Sequence, residues 1–539
     1  MCDLRAALCL AQKMGKSLVG SKILLGSLQR SEKGRKEPSM SEANLKLSAA
    51  EIRVILAGPL LAMFLAALDQ TIIAPALPTM ARELGGFSDL SWVVSSYLLA
   101  STAVTPIYGK LSDLFGRRNL LLIAIGIFVF GSVLCALAPN MLMLVLARAV
   151  QGIGGGGLLS LPNTVIADVV SPRDRGKYQG YFAAVYALSG IGGPVLGGVM
   201  TEYLSWTLVF WINVPMGLFA ALVSFKALSH VKTPKRQHRI DYVGSILMVL
   251  ATLSFLFALT SGGHRYEWLS YEILGLFGLS FILTGLFIRS QFMADEPILP
   301  MRLMQNPIVR LTSFIGLIII MVNASVSIYV PLWLELTRQM RPDEAGLVLI
   351  APMLSIVFGA VISGQYMRLT GRYKLPPTLG FAAGSLILFG FAYGAETLPL
   401  IWALVLLAIF GLGLGTGFPA LMVATQNAVE PREVGTATGT QAFFRSLGGA
   451  IGVSMFGAIL LASLSVHGDA ALALRQAEGS AQIHHAFSVL FGVAGLVMAI
   501  GALSLARLRE IPLRQEVASP HAVASGPVQN AASAAEKLS

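Results

Sequence analysis

A chain of 539 residues that is 55% hydrophobic and only 12% charged cannot clothe itself for water, since soluble globular proteins carry about 25% charged residues. The mean hydropathy of +0.72 excludes a soluble enzyme or scaffold and leaves an integral membrane protein. The net charge of +11 would suggest nucleic acid in a soluble chain; here the cations fall in short loops between apolar runs, which excludes that partner.

Residues 1–51 read as a cytoplasmic tail. They are basic and mildly apolar but interrupted by Lys13 and Lys16, so they form no cleavable signal peptide. Met40 opens "MSEANLKLSAAEIR", which has the look of a natural lead into the first helix. A spanning helix needs about 20 apolar residues. Runs of that kind occur near 53–79, 90–109, 118–138, 141–168, 177–201, 206–228, 240–261, 269–289, 308–334, 343–367, 377–394, 398–424, 436–464 and 484–506. They number about fourteen and lack the roughly 10-residue alternation of a membrane barrel. Residues 508–539, rich in Ala, Ser, Pro and Val, are expected to be a disordered cytoplasmic tail. Cys2, Cys9 and Cys135 show neither paired nor metal-ligand spacing, and Cys135 reads as a small core residue.

Orientation follows from the cations. With the amino terminus inside, Lys110, Arg117 and Arg118, then Arg173, Arg175 and Lys177, occupy inner loops. So do the run from Lys226 to Arg239, the trio Arg289, Arg302 and Arg310, the trio Arg368, Arg372 and Lys374, and Arg432. Outer loops hold only Arg82, Arg265, Arg338, Arg341 and Arg475, a positive-inside bias that puts both termini in the cytoplasm. All six Trp residues fall near predicted outer ends, as an interfacial belt does.

The chain also repeats itself. "SPRDRGKYQG" at 171–180 recurs as "EPREVGTATG" at 430–439, offset 259. Gly109, Gly116 and Arg117 recur as Gly364, Gly371 and Arg372, offset 255, and Gly190, Gly193 and Gly198 recur as Gly449, Gly452 and Gly457. Two tandem multi-helix halves are a mark of secondary transporters. The expected organisation is a six-helix bundle at 52–228, a two-helix insert and linker at 229–305, and a second six-helix bundle at 306–507.

The chemistry-bearing residues follow in chain order. Asp69 lies about 17 residues into the first apolar run, where an acid is either functional or interfacial near the outer surface. "GKLSDLFGRRN" is expected to be an inner loop, with Gly109 and Gly116 permitting a tight turn. Asp113 is placed at the amino end of the third helix and paired with Arg117 or Arg118. "LARAVQGIGGGG" holds a formal G-x-G-x-x-G, but inside a spanning helix rather than after a strand, so dinucleotide binding is rejected. Its glycines permit close helix approach, and Arg148 needs a carboxylate or carbonyl partner. In "ALSGIGGPVLGGVM", Gly190, Gly193 and Gly197 share a helix face, with Gly198 beside them and Pro194 adding a kink.

Arg445 is a second intramembrane cation, either functional or structural, within two to three turns of the cytoplasmic end. Asn323, Gln426, Asn427 and Gln441 are either cavity liners or interhelical hydrogen-bond glue. Glu335 is either a solvated outer-interface acid or a substrate-binding cavity liner, and His484 and His485 are either an outer-interface pair or a proton relay. No catalytic constellation, Walker motif or metal cluster is present in the sequence, so no enzyme, cofactor or metal is expected.

The loop string Gly109–Asn119 resembles the loop signature of the major facilitator superfamily. "LDQTIIAPALPTM" resembles the first-helix signature of its fourteen-helix drug:proton antiporters, the EmrB/QacA type. The glycine stretch resembles the G-x8-G-x3-G-P-x2-G-G signature of its proton-driven exporters, with Gly180 leading, Gly193, Pro194, Gly197 and Gly198 closing, and Ser189 where the second glycine stands. The resemblance implies two six-helix bundles with two inserted helices. It implies a cytoplasmic latch at Gly109, Asp113, Gly116, Arg117 and Arg118, although Arg368 replaces the acid in the second copy. It further implies a proton site at Asp69 with Arg148 beside it, and an antiporter helix over Gly180–Gly198.

The expected function is proton-coupled export of lipophilic drugs or toxic compounds, cationic ones among them, from the cell by alternating access across the plasma or inner membrane. The alternatives are a proton-coupled nutrient symporter and a lipid or glycolipid exporter. The expected partners are the bilayer, protons and a small lipophilic molecule; no residue pattern specifies a membrane-fusion or outer-membrane partner.

Overall fold

The computed structural model describes residues 49–85, 90–228, 241–262, 266–294, 297–394, 398–463 and 481–513. The expectations for the tail residues 1–48 and 514–539, for Cys2 and Cys9, and for Lys232, Lys235, Arg236, Arg239, Arg265 and Arg475 lie outside these segments, as does the Arg432 side chain.

In hydrocarbon every backbone N–H and C=O must find its partner internally, so apolar runs of this length become helices. The long helices are α1 (Ala49–Ile72), α2 (Leu90–Phe115), α3 (Arg117–Ala136), α4 (Met141–Val169), α5 (Pro172–Tyr203) and α6 (Asn213–Ala227). They continue as α7 (Tyr242–Ser261), α8 (Tyr271–Met293), α9 (Pro307–Arg338), α10 (Ile350–Thr370), α11 (Leu375–Gly394), α12 (Leu400–Asn427), α13 (Val434–Ser463) and α14 (Ala481–Arg507). Helical chain also extends α1 through a 3-10 turn at Ala74–Ala76 to Leu84, and precedes α6 at Leu208–Trp211.

Among the described residues, 13 helices are long and apolar enough to cross a membrane. The other long one, α2, runs for 26 residues, but Ser95, Ser96, Ser101, Thr102 and Thr105 dilute its hydropathy. Side chains close several helix starts: Asn140 accepts from Met143 N at 2.9 Å, Asp241 from Gly244 N at 2.7 Å and Asn306 from Ile308 N at 3.0 Å. Each satisfies an otherwise orphaned donor.

The apolar cores divide along the chain. One cluster draws only on residues 308–513 and centres on Trp333, which meets Phe391 and Phe491 edge-on at 5.7 and 5.9 Å. Two others draw only on residues 55–228. The inserted pair α7 and α8 is stitched by Ser280, whose Oγ donates to Ala251 O at 2.9 Å. Helix α7 leans on both bundles: Phe257 stacks on Trp92 of α2 at 4.8 Å, and Ser454 of α13 donates to Leu259 O at 3.1 Å. Large apolar side chains such as Tyr271 and Phe281 of α8 point outward, as a surface solvated by lipid requires.

One boundary differs from the sequence expectation. The segment Gly109–Phe115 is the last part of α2 rather than a loop, and only Gly116 leaves the helix, at φ 89°. Its repeat counterpart Gly371 likewise has φ 70°. These two glycines make the turns, a conformation that side-chain-bearing residues adopt only under strain. Gly109 serves close packing instead.

Candidate functional site

Two polar assemblies stand out. In the first, Asp69 near the end of α1 and Arg148 of α4 are each 1% exposed. Arg148 Nη1 donates to Asp69 Oδ2 at 2.6 Å, and its Nε donates to Val93 O of α2 at 3.1 Å. The other carboxylate oxygen accepts from Gln151 Nε2 and from Asn213 Nδ2, both at 2.8 Å. Those two amides also donate to Ser132 Oγ at 2.6 and 2.9 Å, and Gln151 Oε1 accepts from Arg148 at 2.6 Å. Tyr97 lays its ring 4.4 Å from the guanidinium carbon. Buried Cys135 lies beside the network, its Sγ 3.5 Å from Gln151 Oε1.

The assembly thus binds α1, α2, α3, α4 and α6 around one buried ion pair. Removing one member of such a pair costs about 3–5 kcal/mol, because it strands the other charge. Besides the carboxylate, Arg148 has Gln151 Oε1 and Val93 O as acceptors. The carboxylate is therefore a point at which five helices are held together.

The sequence pointed to Asp69 and Arg148 but passed over Gln151, Ser132, Asn213 and Tyr97. Gln151 had a local signal, standing three residues after Arg148 on the same helix face.

The second assembly lies where the cation-rich chain segments meet. Asp113, in the last turn of α2, reaches the first turn of α13. Its Oδ1 accepts from Gly435 N at 3.2 Å, and its Oδ2 accepts from Thr436 N at 2.9 Å and Thr436 Oγ1 at 3.1 Å. An acid there satisfies orphan donors and the positive helix end together. The expected place at the start of the third helix is corrected: Asp113 caps a helix 322 residues away.

Of the two candidate arginines, Arg117 pairs with Asp113 at 2.6 Å and with Asp168 of α4 at 2.8 Å. Arg118 instead lies over Phe225 at 4.0 Å. Gly109 sits against Gly435 and Gly439, so that a Cβ there would stand 2.6 Å from Gly435 O. The counterpart contact is Gly176 of α5 on Gly364 of α10, a Cβ on Gly176 standing 2.9 Å from Gly364 Cα. Each bundle thus offers its repeat glycine to the other.

Gln426 belongs here rather than to a cavity. It accepts from Arg175 Nη1 at 3.1 Å and donates to Asn163 O at 3.0 Å and Thr438 Oγ1 at 3.1 Å. It sits at the end of α12, where the two bundles touch, which its polarity alone does not reveal. Asn427 donates to Pro512 O at 3.2 Å.

The glycine stretch of α5 splits over several surfaces instead of forming one. A side chain at Gly193 or Gly197 would collide with Thr71 or Ile72 at the end of α1. Gly190 faces Met353 and Gly180 faces Val361, both of α10, while Gly198 faces open space and Pro194 is exposed. The close approach to α1 is sealed by Thr71 Oγ1, which donates to Ser189 O at 2.8 Å. Thr71 stands two residues after Asp69, so this stretch and the buried acid share one segment of α1. Asn323 is half-buried in α9, Glu335 is half-buried in its last turn, and Gln441 is buried in α13. His484 and His485 open α14, half-buried and exposed.

The comparisons with known proteins agree with this architecture. A profile of the Major Facilitator Superfamily matches residues 60–453. The chain is 35% identical over 411 residues to the multidrug transporter protein MdtP of Bacillus subtilis, covering 76% of this chain and 75% of that one. It is 37% identical over 414 residues to the efflux pump dotC of Dothistroma septosporum, covering 75% and 70%. Among solved structures, the proton:xylose symporter XylE superposes with a TM-score of 0.60 at 15% identity, covering 87% of this chain and 99% of that one; at that identity the likeness concerns the fold. The chain belongs to the Major Facilitator Superfamily.

Proposed function

We propose that this chain is a proton-coupled antiporter of the fourteen-helix type that exports lipophilic compounds from the cell by alternating access. The plasma or inner membrane holds it, with both termini in the cytoplasm and the proton gradient as energy source. The observation that carries the reading is the Asp69–Arg148 pair, buried at 1% exposure and shared among five helices. An ionisable residue kept inside a spanning bundle belongs to an ion or substrate pathway. The printed names of the relatives, a multidrug transporter and an efflux pump, support export.

In this reading the arrangement described above is closed at the cytoplasmic side. Asp113 on α13, Gln426 with Arg175 and Asn163, and the two glycine contacts hold that end together. A proton arriving from outside neutralises Asp69 and loosens α1 from α4. Through Thr71 and the Gly193–Gly197 approach, that change reaches α5, whose other surface lies on α10 of the second bundle. The halves then rock open at the cytoplasmic end, a substrate enters, and loss of the proton inward resets the pair.

Everted membrane vesicles test the direction of coupling. With the vesicle interior made acidic, an antiporter accumulates its substrates and an added uncoupler abolishes the accumulation. Accumulation only when the exterior is acidic would establish a symporter and overturn the proposal.

A further inference from the structure

A half-buried cation of the second bundle stands well inside a spanning helix and has no part in the cycle proposed above. Arg445 lies eleven residues past the start of α13, about 16 Å at 1.5 Å per residue, near the middle of a hydrocarbon core about 30 Å thick. Its stem passes over Gly316 of α9, where a Cβ would stand 3.2 Å from Arg445 Cγ. Its guanidinium carbon lies 5.2 Å from the ring of Phe418 on α12. Tyr186 of α5, in the other bundle, is the titratable group that acts on it electrostatically and is 40% exposed. Arg445 therefore stands where the two bundles face each other.

Among the described residues no acid forms an ion pair with this cation, and its Nε is buried without a hydrogen-bond partner. The described acids of the second bundle and its C-terminal extension, namely Glu335, Glu344, Glu430, Glu433 and Glu510, stand at or beyond helix ends. Asp69 is already held by Arg148. One turn before Arg445, the buried Gln441 also lacks a partner for its Oε1.

A guanidinium stays charged at any physiological pH, and a charge in the membrane interior is kept at an energetic penalty. Its planar fork of donors matches a carboxylate in two parallel bonds. An aromatic ring alone, at the distance of Phe418, offsets only part of the lost hydration.

We infer that Arg445 is an anion-recognising group on the substrate path, so that the compounds carried include lipophilic molecules with a carboxylate. The inference rests on the transport reading and sharpens its substrate class. The carboxylate lies against the Arg445 fork, a neighbouring N–H or O–H of the ligand reaches Gln441 Oε1, and the apolar body packs on Phe418 and Tyr186. This cation lies on the second bundle and the acid Asp69 on the first, so anion binding and proton binding use different helices.

Purified full-length protein in detergent, titrated with three fluorescent probes of one aromatic body, tests this directly. The probes are anionic dansylglycine, neutral dansylamide and cationic dansylcadaverine. Wild-type protein is expected to bind dansylglycine at least tenfold more tightly than dansylamide. In Arg445→Gln that ratio falls to about one, and in Arg445→Lys, which keeps the charge but not the fork, it stays between the two. Monodisperse elution and an unchanged helical circular dichroism spectrum establish that each variant is folded.

The inference is overturned if folded wild-type protein shows no preference for dansylglycine or does not bind it, or if Arg445→Gln keeps the ratio. Should Arg445→Gln fail to fold, the ratio in Arg445→Lys decides: a wild-type value overturns the inference and a reduced one supports it. Uncoupler-sensitive accumulation in everted vesicles separates this from failure of the transport reading. Coupled transport without anion preference refutes Arg445 alone, and absence of coupled transport refutes the proposed function whatever the binding ratio.

Discussion

The two seams between the bundles derive from one repeat, yet they are built differently. Where α2 meets α13, glycine packing at Gly109, Gly435 and Gly439 is overlaid by Asp113, which takes three hydrogen bonds from Gly435 and Thr436 while paired with Arg117. Where α5 meets α10, Gly176 and Gly364 pack as closely, but Arg368 occupies the acid's place. There the polar link is an exposed one, Arg173 Nε donating to Arg368 O at 3.0 Å. Glycine packing is common to both seams, and a buried ion pair is confined to one. Separating the second seam forfeits contact area and one exposed hydrogen bond, whereas separating the first takes three hydrogen bonds from a buried carboxylate and leaves it only its pair with Arg117. In the proposed cycle the α2–α13 seam is accordingly the one whose release governs opening.

Asp113→Ala should break the comparison hardest. Hydrogen bonds to a charged group are each worth about 1.5–3 kcal/mol, so losing them should shift the closed-to-open ratio by tenfold or more. Spin labels at Lys110 and Glu433 would report a longer distance between α2 and α13. An unchanged distance distribution would show that glycine packing is sufficient there too.

Gly364→Val asks the converse at the other seam. Its Cβ would strike Gly176, and overpacking typically costs about 1–3 kcal/mol. Labels at Lys177 and Leu369 should separate while the Lys110–Glu433 pair moves less.

Gly116→Ala places a side chain at φ 89°. It should lower the thermal unfolding midpoint of the purified protein by the equivalent of about 1–3 kcal/mol while leaving both label distances near their original values. Arg173→Ala removes only the exposed link and should alter the closed population by less than about threefold. A larger effect would mean that the uncharged seam depends on that bond.

Much of this arrangement was legible in the sequence, in particular ways. Hydropathy located the spanning runs, the 255 and 259 offsets located both seams, and the isolated charges Asp69, Arg148 and Asp113 marked both polar assemblies. Partners were harder to see. Asp113 caps a helix more than three hundred residues away, and Asp69 gathers Gln151, Ser132 and Asn213, single neutral residues within apolar helices.

Gly109 was misread as a turn because glycine disfavours helices in water; between packed membrane helices it is the residue that lets two backbones touch. Gln426 and Gln441 have the same chemistry in similar helices. Only the packing shows that one bridges the bundles at the closed end while the other leaves its carbonyl oxygen unpartnered beside Arg445.

The central claim is that proton entry acts through Asp69, and one substitution addresses it most directly. In a host lacking its own pumps, wild-type protein should lower the accumulation of at least one compound in a panel of lipophilic drugs and dyes, and an uncoupler should restore it. Asp69→Asn, inserted at equal abundance, should leave accumulation at the level of the host alone, with or without the uncoupler. Efflux by Asp69→Asn at the wild-type rate, still responding to an imposed pH gradient, would contradict the account.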